Sequence, residues 1–188
     1  MEIQSYDIRG ILLVTPQRIG DQRGYFAETF RLDLFQDKVG NYRFVQDNES
    51  LNAKAGTIRG LHFQCRPEAQ GKLVRCTSGA LFDVAVDIRV GSPTFGQWIG
   101  ETLTPGNGKQ LWVPPGFAHG FCSLLPDTVI YYKVTDSFYS VECDKGVAWN
   151  DPAIGIVWPD IADADTLSAK DRSLPLLSEL PPYFSWSD

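Results

Sequence analysis

The sequence of 188 residues predicts an all-β fold, either a sandwich or a barrel of short strands. Most of the chain between residues 11 and 158 consists of short runs rich in β-branched and aromatic residues. Clusters of Gly, Pro, Asn and Asp separate these runs, as in Gly91-Ser92-Pro93 and Pro114-Pro115-Gly116. Because a chain of 21.0 kDa can bury a sizeable core by itself, we expect residues 1–188 to form a single domain.

In chain order, the sequence predicts eight strands and a few short helices. The strands cover residues 10–14, 43–45, 73–76, 80–88, 98–103, 110–113, 120–124 and 128–135. A helix is predicted over 31–39, where Leu32, Phe35 and Val39 would share one face, and another is predicted after Ala164. The tail, residues 175–188, carries two adjacent prolines and several aromatic residues, so we expect it to wrap the surface in extended form.

Strand parity predicts which side chains point inward. In residues 80–88 one face is wholly apolar, whereas the other carries Asp83 and Asp87. Such a mixed face suits either the lining of a polar cavity or exposure to solvent. In residues 128–135, Tyr132 lies on the same side as apolar neighbours, so Tyr132 should point inward.

The composition argues against several classes of function. A net charge of -6 and a pI of about 4.9 disfavour a broad nucleic-acid surface, which needs a basic face. No segment approaches the roughly 20 apolar residues of a membrane span, and the first ten residues do not resemble a secretory signal. The four cysteines form no close pair in sequence, so we expect reduced thiols in a cytoplasmic protein, with a disulfide or a reactive thiol as the alternatives.

Only two histidines are present, His62 and His119. A site of three or four imidazoles is therefore excluded, and the expected chemistry is proton transfer by a positioned histidine, with no metal. Polar residues flank His62 in sequence, with Gln46-Asp47-Asn48 before it and Gln70-Gly71-Lys72 after it. The alternative interpretation is structural, with a histidine packed in a sheet beside solvated basic side chains.

The segment that ends at His119, from Pro114, resembles the Pro-x-Gly-x-x-His turn in the second motif of cupin barrels, where the histidine usually binds a metal. The first cupin motif requires a His-x-His pair, and the equivalent stretch here is His62-Phe63-Gln64. The metal-binding set is broken, which disfavours metal-dependent catalysis.

Seven segments, taken in order, resemble the dTDP-4-dehydrorhamnose 3,5-epimerases, a family of cupin-type sugar-nucleotide epimerases. They are residues 20–26, 46–48, 59–64, 69–75, 82–89, 115–121 and 168–171. The resemblance implies a cupin-type jelly roll, or double-stranded β-helix, with a few short helices. It also implies cofactor-free inversion of C3 and C5 in dTDP-4-keto-6-deoxy-D-glucose, on the route to dTDP-L-rhamnose, by a homodimer whose N-terminal strands exchange.

The resemblance assigns roles to individual residues. His62 would be the base that removes a proton beside the 4-ketone, and Tyr132 the acid on the other face. Asp171 would orient His62, with Asp83 as the fallback partner for either histidine, and Lys72 would stabilise the enolate. The further substrate contacts implied are Arg23, Glu28, Gln46, Asp47, Asn48, Arg59, His119, Tyr139, Asp144 and Lys170, with the two arginines on the diphosphate and an aromatic near 136–139 on the thymine.

The chain departs from the family pattern at residues 135–144. One residue is inserted there, so Phe138-Tyr139 replaces a tyrosine pair and Asp144 replaces a glutamate; in addition, Glu49 stands where many relatives have histidine. An epimerase that acts on one carbon only, or a ketoisomerase of antibiotic-sugar pathways, is therefore an alternative. A non-catalytic, nucleotide-sugar-binding cupin is another alternative, since it would share every binding residue.

Overall fold

The chain folds into two antiparallel sheets that face each other, in a computed structural model that describes residues 1–187. The strands are β1 Glu2–Ser5, β2 Leu12–Thr15, β3 Arg18–Asp21, β4 Gly24–Ala27, β5 Phe44–Asn52, β6 Ile58–Gln64, β7 Lys72–Ser78, β8 Leu81–Asp87, β9 Trp98–Leu103, β10 Gln110–Val113, β11 Phe117–Ser123, β12 Thr128–Thr135 and β13 Asp144–Gly146. One sheet has the order β1-β2-β10-β7-β12-β5, the other has the order β13-β6-β11-β8-β9, and β3 pairs with β4 as a separate hairpin. The predicted all-β jelly roll is confirmed.

Three apolar layers hold this arrangement together. The first lies between the sheets, where Leu111 and Ile130 of one sheet meet Leu81 and Phe121 of the other. The second covers the outer face of the five-stranded sheet with the C-terminal part of the chain. In the third, Trp112 on the outer face of the six-stranded sheet packs under α1 (Leu32–Lys38). Both faces of each sheet are thus partly buried.

The alternation in β8 is confirmed, and it resolves the question of its mixed face. That face points between the sheets, because its Leu81 and Ala85 belong to the inner layer, and Asp83 and Asp87 are fully buried there. Exposure of these two carboxylates, the other interpretation, is wrong. The apolar face lies in the outer layer beneath the C-terminal segment.

The predicted strands are found in the structure, but four elements are missing from the prediction: β1, the β3–β4 hairpin, β6 and β13. Strand β6 reads Ile-Arg-Gly-Leu-His-Phe-Gln, and an internal glycine and a mixed polar pattern weaken any strand signal. The predicted strand 43–45 is the beginning of the longer β5. These elements depend on their partners, since β6 is held between β11 and β13.

The predicted helices are confirmed, and both are short. The helix expected over 31–39 is α1, and the region after Ala164 contains a 3₁₀ turn, Ala164–Thr166, followed by α2, Ala169–Arg172. The tail contains one 3₁₀ turn, Leu177–Glu179, and is otherwise irregular or extended, with Phe184 buried. Within residues 1–187, no helix is both long and apolar enough to cross a membrane.

Candidate active site

A cavity of about 330 Å³ lies between the two sheets and contains half of the predicted site residues. The six-stranded sheet contributes Lys72 and Tyr132 to its walls, and the five-stranded sheet contributes His62 and His119. The remaining lining residues are Ser50, Arg59, Gly120, Phe121, Ser168, Lys170 and Asp171. A concave pocket with a few converging polar groups is the usual form of a small-molecule site.

His62 is paired with Asp171, although the two residues are far apart in sequence. Nε2 of His62 lies 2.5 Å from Oδ1 of Asp171, and the carboxylate is only 4% exposed. Ser168 caps α2 by accepting a hydrogen bond from the Asp171 backbone N–H, which fixes where the helix begins. The predicted pairing of His62 with Asp171 is therefore present in the structure.

The charge on Asp171 selects the tautomer of His62. Burial alone would raise the pKa of Asp171, but hydrogen bonds from His62, Ser168 and the Gly60 backbone, together with the electrostatic attraction of the His62 ring, bring that pKa below its usual value. An ionised carboxylate can only accept hydrogen bonds, so Nε2 of His62 carries the hydrogen. The other ring nitrogen, Nδ1, is left with a free lone pair and can act as a base.

Tyr132 and Lys72 stand on the opposite wall of the cavity. Tyr132 lies opposite Val74 in the β12–β7 register, and Val134 lies opposite Lys72. Burial raises the pKa of Tyr132 above its usual value, opposed by Arg59 and reinforced by Asp144, so the phenol keeps its proton near neutral pH. The inward orientation predicted for Tyr132 is confirmed by its place in the cavity wall.

Burial lowers the pKa of Lys72 to about 8, although the Asp144 and Asp83 carboxylates favour its charged form. Lys170 acts in the same direction as burial. Lys72 is consequently an ammonium at neutral pH that loses its proton just above it. A compact cation in a partly desolvated cavity is suited to stabilising negative charge on a bound oxygen.

The second histidine forms a second pair. Nε2 of His119 lies 2.8 Å from Oδ1 of Asp83, and both side chains are nearly or fully buried, at 8% and 0% exposure. Asp83, the fallback partner named for either histidine, therefore pairs with His119 and not with His62. His119 itself lies opposite His62 in the register of β11 and β6, so the two imidazoles are neighbours on one wall.

A polar rim continues from the cavity to the irregular turn at residues 136–143. Lys170 Nζ lies 2.5 Å from Asp144 Oδ2, and the Tyr139 hydroxyl donates to the same oxygen at 2.9 Å. The Tyr139 backbone N–H donates to Gln46 Oε1, and Gln46 in turn donates to Asn48 Oδ1. Five predicted contact residues are thus connected in one chain of hydrogen bonds. Arg59 stands separately, and its Nε donates to Asn52 Oδ1 at 2.8 Å.

Three predicted residues do not reach the cavity of this chain. Asp47 is on the outward side of β5 and forms an ion pair with Lys133 at 2.9 Å. Arg23 is exposed at the tip of the β3–β4 hairpin, where it pairs with Asp21. Glu28 follows that hairpin and is also exposed. Their substrate contacts remain predictions.

The structure adds residues that had no role in the prediction. Gln64 is buried, and its side chain accepts from the Ser140 backbone N–H and donates to the Phe138 carbonyl, which ties down the turn that carries Tyr139. Gln70 donates to the Ser137 carbonyl at 2.6 Å. Both glutamines were inside the matching segments, but no signal in the sequence indicates that their amides would support this turn.

A metal site was not expected from the sequence, because histidine is scarce. Within residues 1–187, no group of three or more His, Cys, Asp or Glu side chains is arranged to hold a metal ion. Each imidazole of the cavity has a carboxylate partner instead. Catalysis without a cofactor remains a prediction.

Comparisons with known proteins agree with this geometry. The family model described as dTDP-4-dehydrorhamnose 3,5-epimerase matches residues 5–179. A dTDP-4-dehydrorhamnose 3,5-epimerase from Sinorhizobium fredii is 58% identical over 186 residues, which cover 99% of this chain and 94% of the relative. The crystal structure of a dTDP-6-deoxy-D-glucose-3,5-epimerase from Legionella pneumophila, in complex with dTDP-4-keto-L-rhamnose, superposes with a TM-score of 0.91 at 40% identity and covers 98% of both chains. A dTDP-4-dehydrorhamnose 3-epimerase from Streptomyces niveus is less similar, at 35% identity over 97% of this chain and 90% of the relative.

Proposed function

Because this chain belongs to the dTDP-4-dehydrorhamnose 3,5-epimerase family, we propose that it converts dTDP-4-keto-6-deoxy-D-glucose into dTDP-4-keto-L-rhamnose without a cofactor. One observation carries the proposal: a basic group and an acidic group face each other across the cavity. His62 stands on the five-stranded sheet and Tyr132 on the six-stranded sheet. A sugar ring bound between the sheets would present one face to each.

The reaction needs a proton to leave one face of a carbon and another to arrive at the opposite face. The 4-ketone acidifies the hydrogens on C3 and C5, so removal of either gives an enolate that has lost the stereochemistry of that carbon. Nδ1 of His62 takes the proton, and the electron pair of the C–H bond moves into the enolate. The Tyr132 hydroxyl then delivers its proton to the other face, and exchange with solvent restores both groups.

The enolate oxygen requires a cation or hydrogen-bond donors near it. Lys72 is an ammonium below about pH 8, and His119 lines the same cavity. Such preorganised groups act most strongly when water is excluded, and they stabilise the enolate more than the ketone because the charge develops during the reaction. This selectivity for the charged state makes Lys72 a catalytic residue in the proposal.

The rim is suited to the nucleotide part of the substrate. Arg59 and Lys170 supply positive charge for the diphosphate at the mouth of the cavity. The exposed rings of Phe138 and Tyr139, 65% and 58% accessible, offer a surface for the thymine base, with Tyr139 held by its hydrogen bond to Asp144.

We also propose that the active form is a homodimer. The β3–β4 hairpin exposes Ile19, Tyr25 and Phe26, of which Phe26 is 70% accessible, and an apolar surface of this kind indicates an interaction site. Packing of this hairpin against a second copy would cover these side chains. It would also bring Arg23 and Glu28 to the partner's cavity, which explains why they lie outside their own.

A cytoplasmic location is part of the same proposal. All four cysteines are free thiols and buried in the structure. Free thiols are usual in a reducing compartment, where the nucleotide-linked sugar would also be made.

Proton NMR of the substrate in deuterated water, with a chelator present, tests the function directly. We expect deuterium to replace hydrogen at both C3 and C5. Exchange at C3 alone would favour the single-carbon epimerase, for which the altered turn at 135–144 and the 35% identical 3-epimerase provide grounds. A lack of exchange together with tight nucleotide binding would favour a non-catalytic sensor.

A further inference from the structure

A buried carboxylate beside the catalytic groups is incompletely paired. Asp83 is fully inaccessible to solvent and projects from β8 into the layer between the sheets, among Leu81, Ala85 and Phe121. Its Oδ1 accepts from His119 Nε2, but Oδ2 is buried and has no hydrogen-bond partner in residues 1–187. Burying a carboxylate with an unsatisfied oxygen destabilises a fold.

Asp87, on the same strand and the same face, provides the contrast. It is also fully buried, but it accepts hydrogen bonds from Arg89, Ser92 and Thr94, so both of its oxygens are satisfied. Those partners close the turn after β8, which is a structural task. Among the residues that the structure describes, Asp83 has no comparable set of partners, and the side chain hydrogen-bonded to it is a histidine in the cavity wall.

The charge of Asp83 acts on several groups in this part of the protein. It favours the ammonium form of Lys72, and it adds to the effect of burial in raising the pKa of Tyr6 and of Cys76. Tyr6 also donates a hydrogen bond to Glu101. The charged and titratable groups around Lys72 are Asp83 on β8, Asp144 on β13, Lys170 and Asp171 near the C-terminus, Arg59 and His62 on β6, His119 on β11 and Tyr132 on β12.

We propose that Asp83 is a positioning residue for the epimerisation: it fixes His119 through Nε2, so that Nδ1 of the same ring faces the substrate. The charge of Asp83 also favours the ammonium form of Lys72, which lines the same cavity as His119. The proposal rests on the epimerase function proposed above. With Nε2 held by the carboxylate, Nδ1 is the nitrogen left to contact the sugar, and loss of the carboxylate would free the ring to turn or to change tautomer. Asp83 would thereby act on both His119 and Lys72 without touching the substrate.

The substitution Asp83→Asn keeps the size and the hydrogen-bonding side chain but removes the charge. We expect kcat to fall about 100-fold, comparable to the loss of one oxyanion donor, with KM changed much less. We also expect the fall of kcat/KM with rising pH, which Lys72 produces near pH 8, to begin at lower pH. The sign follows because a negative charge raises the pKa of a nearby lysine, and removing it lowers that pKa further.

A stability measurement separates positioning from a structural role. Because Asp83 carries an unsatisfied oxygen, the melting temperature of the Asp83→Asn variant should equal or exceed that of the wild type. The matched control is Asp87→Asn, which breaks a satisfied network and should melt at a lower temperature while the pH profile of the folded enzyme stays unchanged. The double variant Asp83→Asn with His119→Gln should lose little more activity than His119→Gln alone, because the two residues act as a unit.

The following outcomes would contradict the positioning role of Asp83. An Asp83→Asn enzyme with the wild-type rate and pH profile would overturn the proposal, and so would one that is unfolded or that loses activity equally at every pH. If the wild-type protein exchanges no deuterium at C3 or C5, the epimerase function itself fails, and this inference fails with it.

Discussion

Both histidines of the cavity wall are paired with an aspartate, His62 with Asp171 and His119 with Asp83, and the two pairs differ in how the fold supplies the carboxylate. The two histidines are opposite each other on adjacent strands. For His119 the carboxylate comes from the next strand of the same sheet. For His62 it comes from a helix of four residues, 109 positions further along the chain.

The two pairs also differ in their access to solvent. The His62 side chain is 31% exposed, whereas that of His119 is only 8% exposed. A base must release the proton that it has taken before the next cycle, and contact with water allows this. A donor that stabilises charge benefits from exclusion of water. Two pairs of the same residue types thus have different environments in this fold, and such a difference can give them different roles.

The largest effect is expected from removal of the exposed imidazole. His62→Ala should reduce exchange at C3 and C5 by about 10²–10⁴-fold, the range that a general base contributes. Binding of dTDP, measured by calorimetry, should change little, because the nucleotide is expected at the rim. If His62→Ala kept the wild-type exchange rate, the roles of the two pairs would have to be exchanged.

A smaller loss is expected when the distant carboxylate is neutralised. In Asp171→Asn, the amide can hydrogen-bond to either tautomer of His62, so the ring is no longer held with Nδ1 free. We expect kcat to fall by less than in His62→Ala, with KM preserved. Equal rates for Asp171→Asn and the wild type, in a stopped assay at pH 7, would show that the helix contributes only to structure.

The smallest effect is expected on the pH at which activity falls, and it tests the charge of Lys72, which lies in the same cavity as both histidines. Because the pKa of Lys72 is lowered to about 8, the ammonium and the activity that depends on it should be lost as the pH rises through that value. Lys72→Arg keeps its charge to much higher pH, so any remaining activity should no longer fall near pH 8. A fall at the same pH in both enzymes would assign that titration to another group.

Much of the fold could be predicted from local patterns, because alternation and turn residues act over a few positions. Strands β8 and β12, the inward Tyr132 and helix α1 are of this kind. Strand β6 was missed, since its Arg59-Gly60 pair conceals its period, and it is stabilised by β11 and β13 on either side. The β3–β4 hairpin was missed as well, and its exposed apolar residues do not follow the usual pattern of burial.

In the candidate site, too, some features follow from the sequence and others depend on tertiary contacts. The residue types of the cavity, two histidines with a lysine and a tyrosine, could be selected from the sequence and its resemblance to the epimerases. The pairing of Asp171 with His62 was predicted from the family resemblance alone. For Asp83 the sequence did not determine which histidine would be its partner. The support of the 137–140 turn by Gln64 and Gln70 was not predicted.

By itself, the sequence determined the class of fold, the scarcity of histidine that favours proton transfer over a metal site, and the family to which the chain belongs. The tertiary structure decided which carboxylate pairs with which histidine, which face of β8 points between the sheets, and that His62 and Tyr132 stand on opposite sheets. The physical reason is the distance along the chain over which each interaction acts. Side-chain periodicity and turn preference are local properties of the backbone, whereas a hydrogen bond between residues 62 and 171 depends on how whole sheets and the C-terminal segment pack.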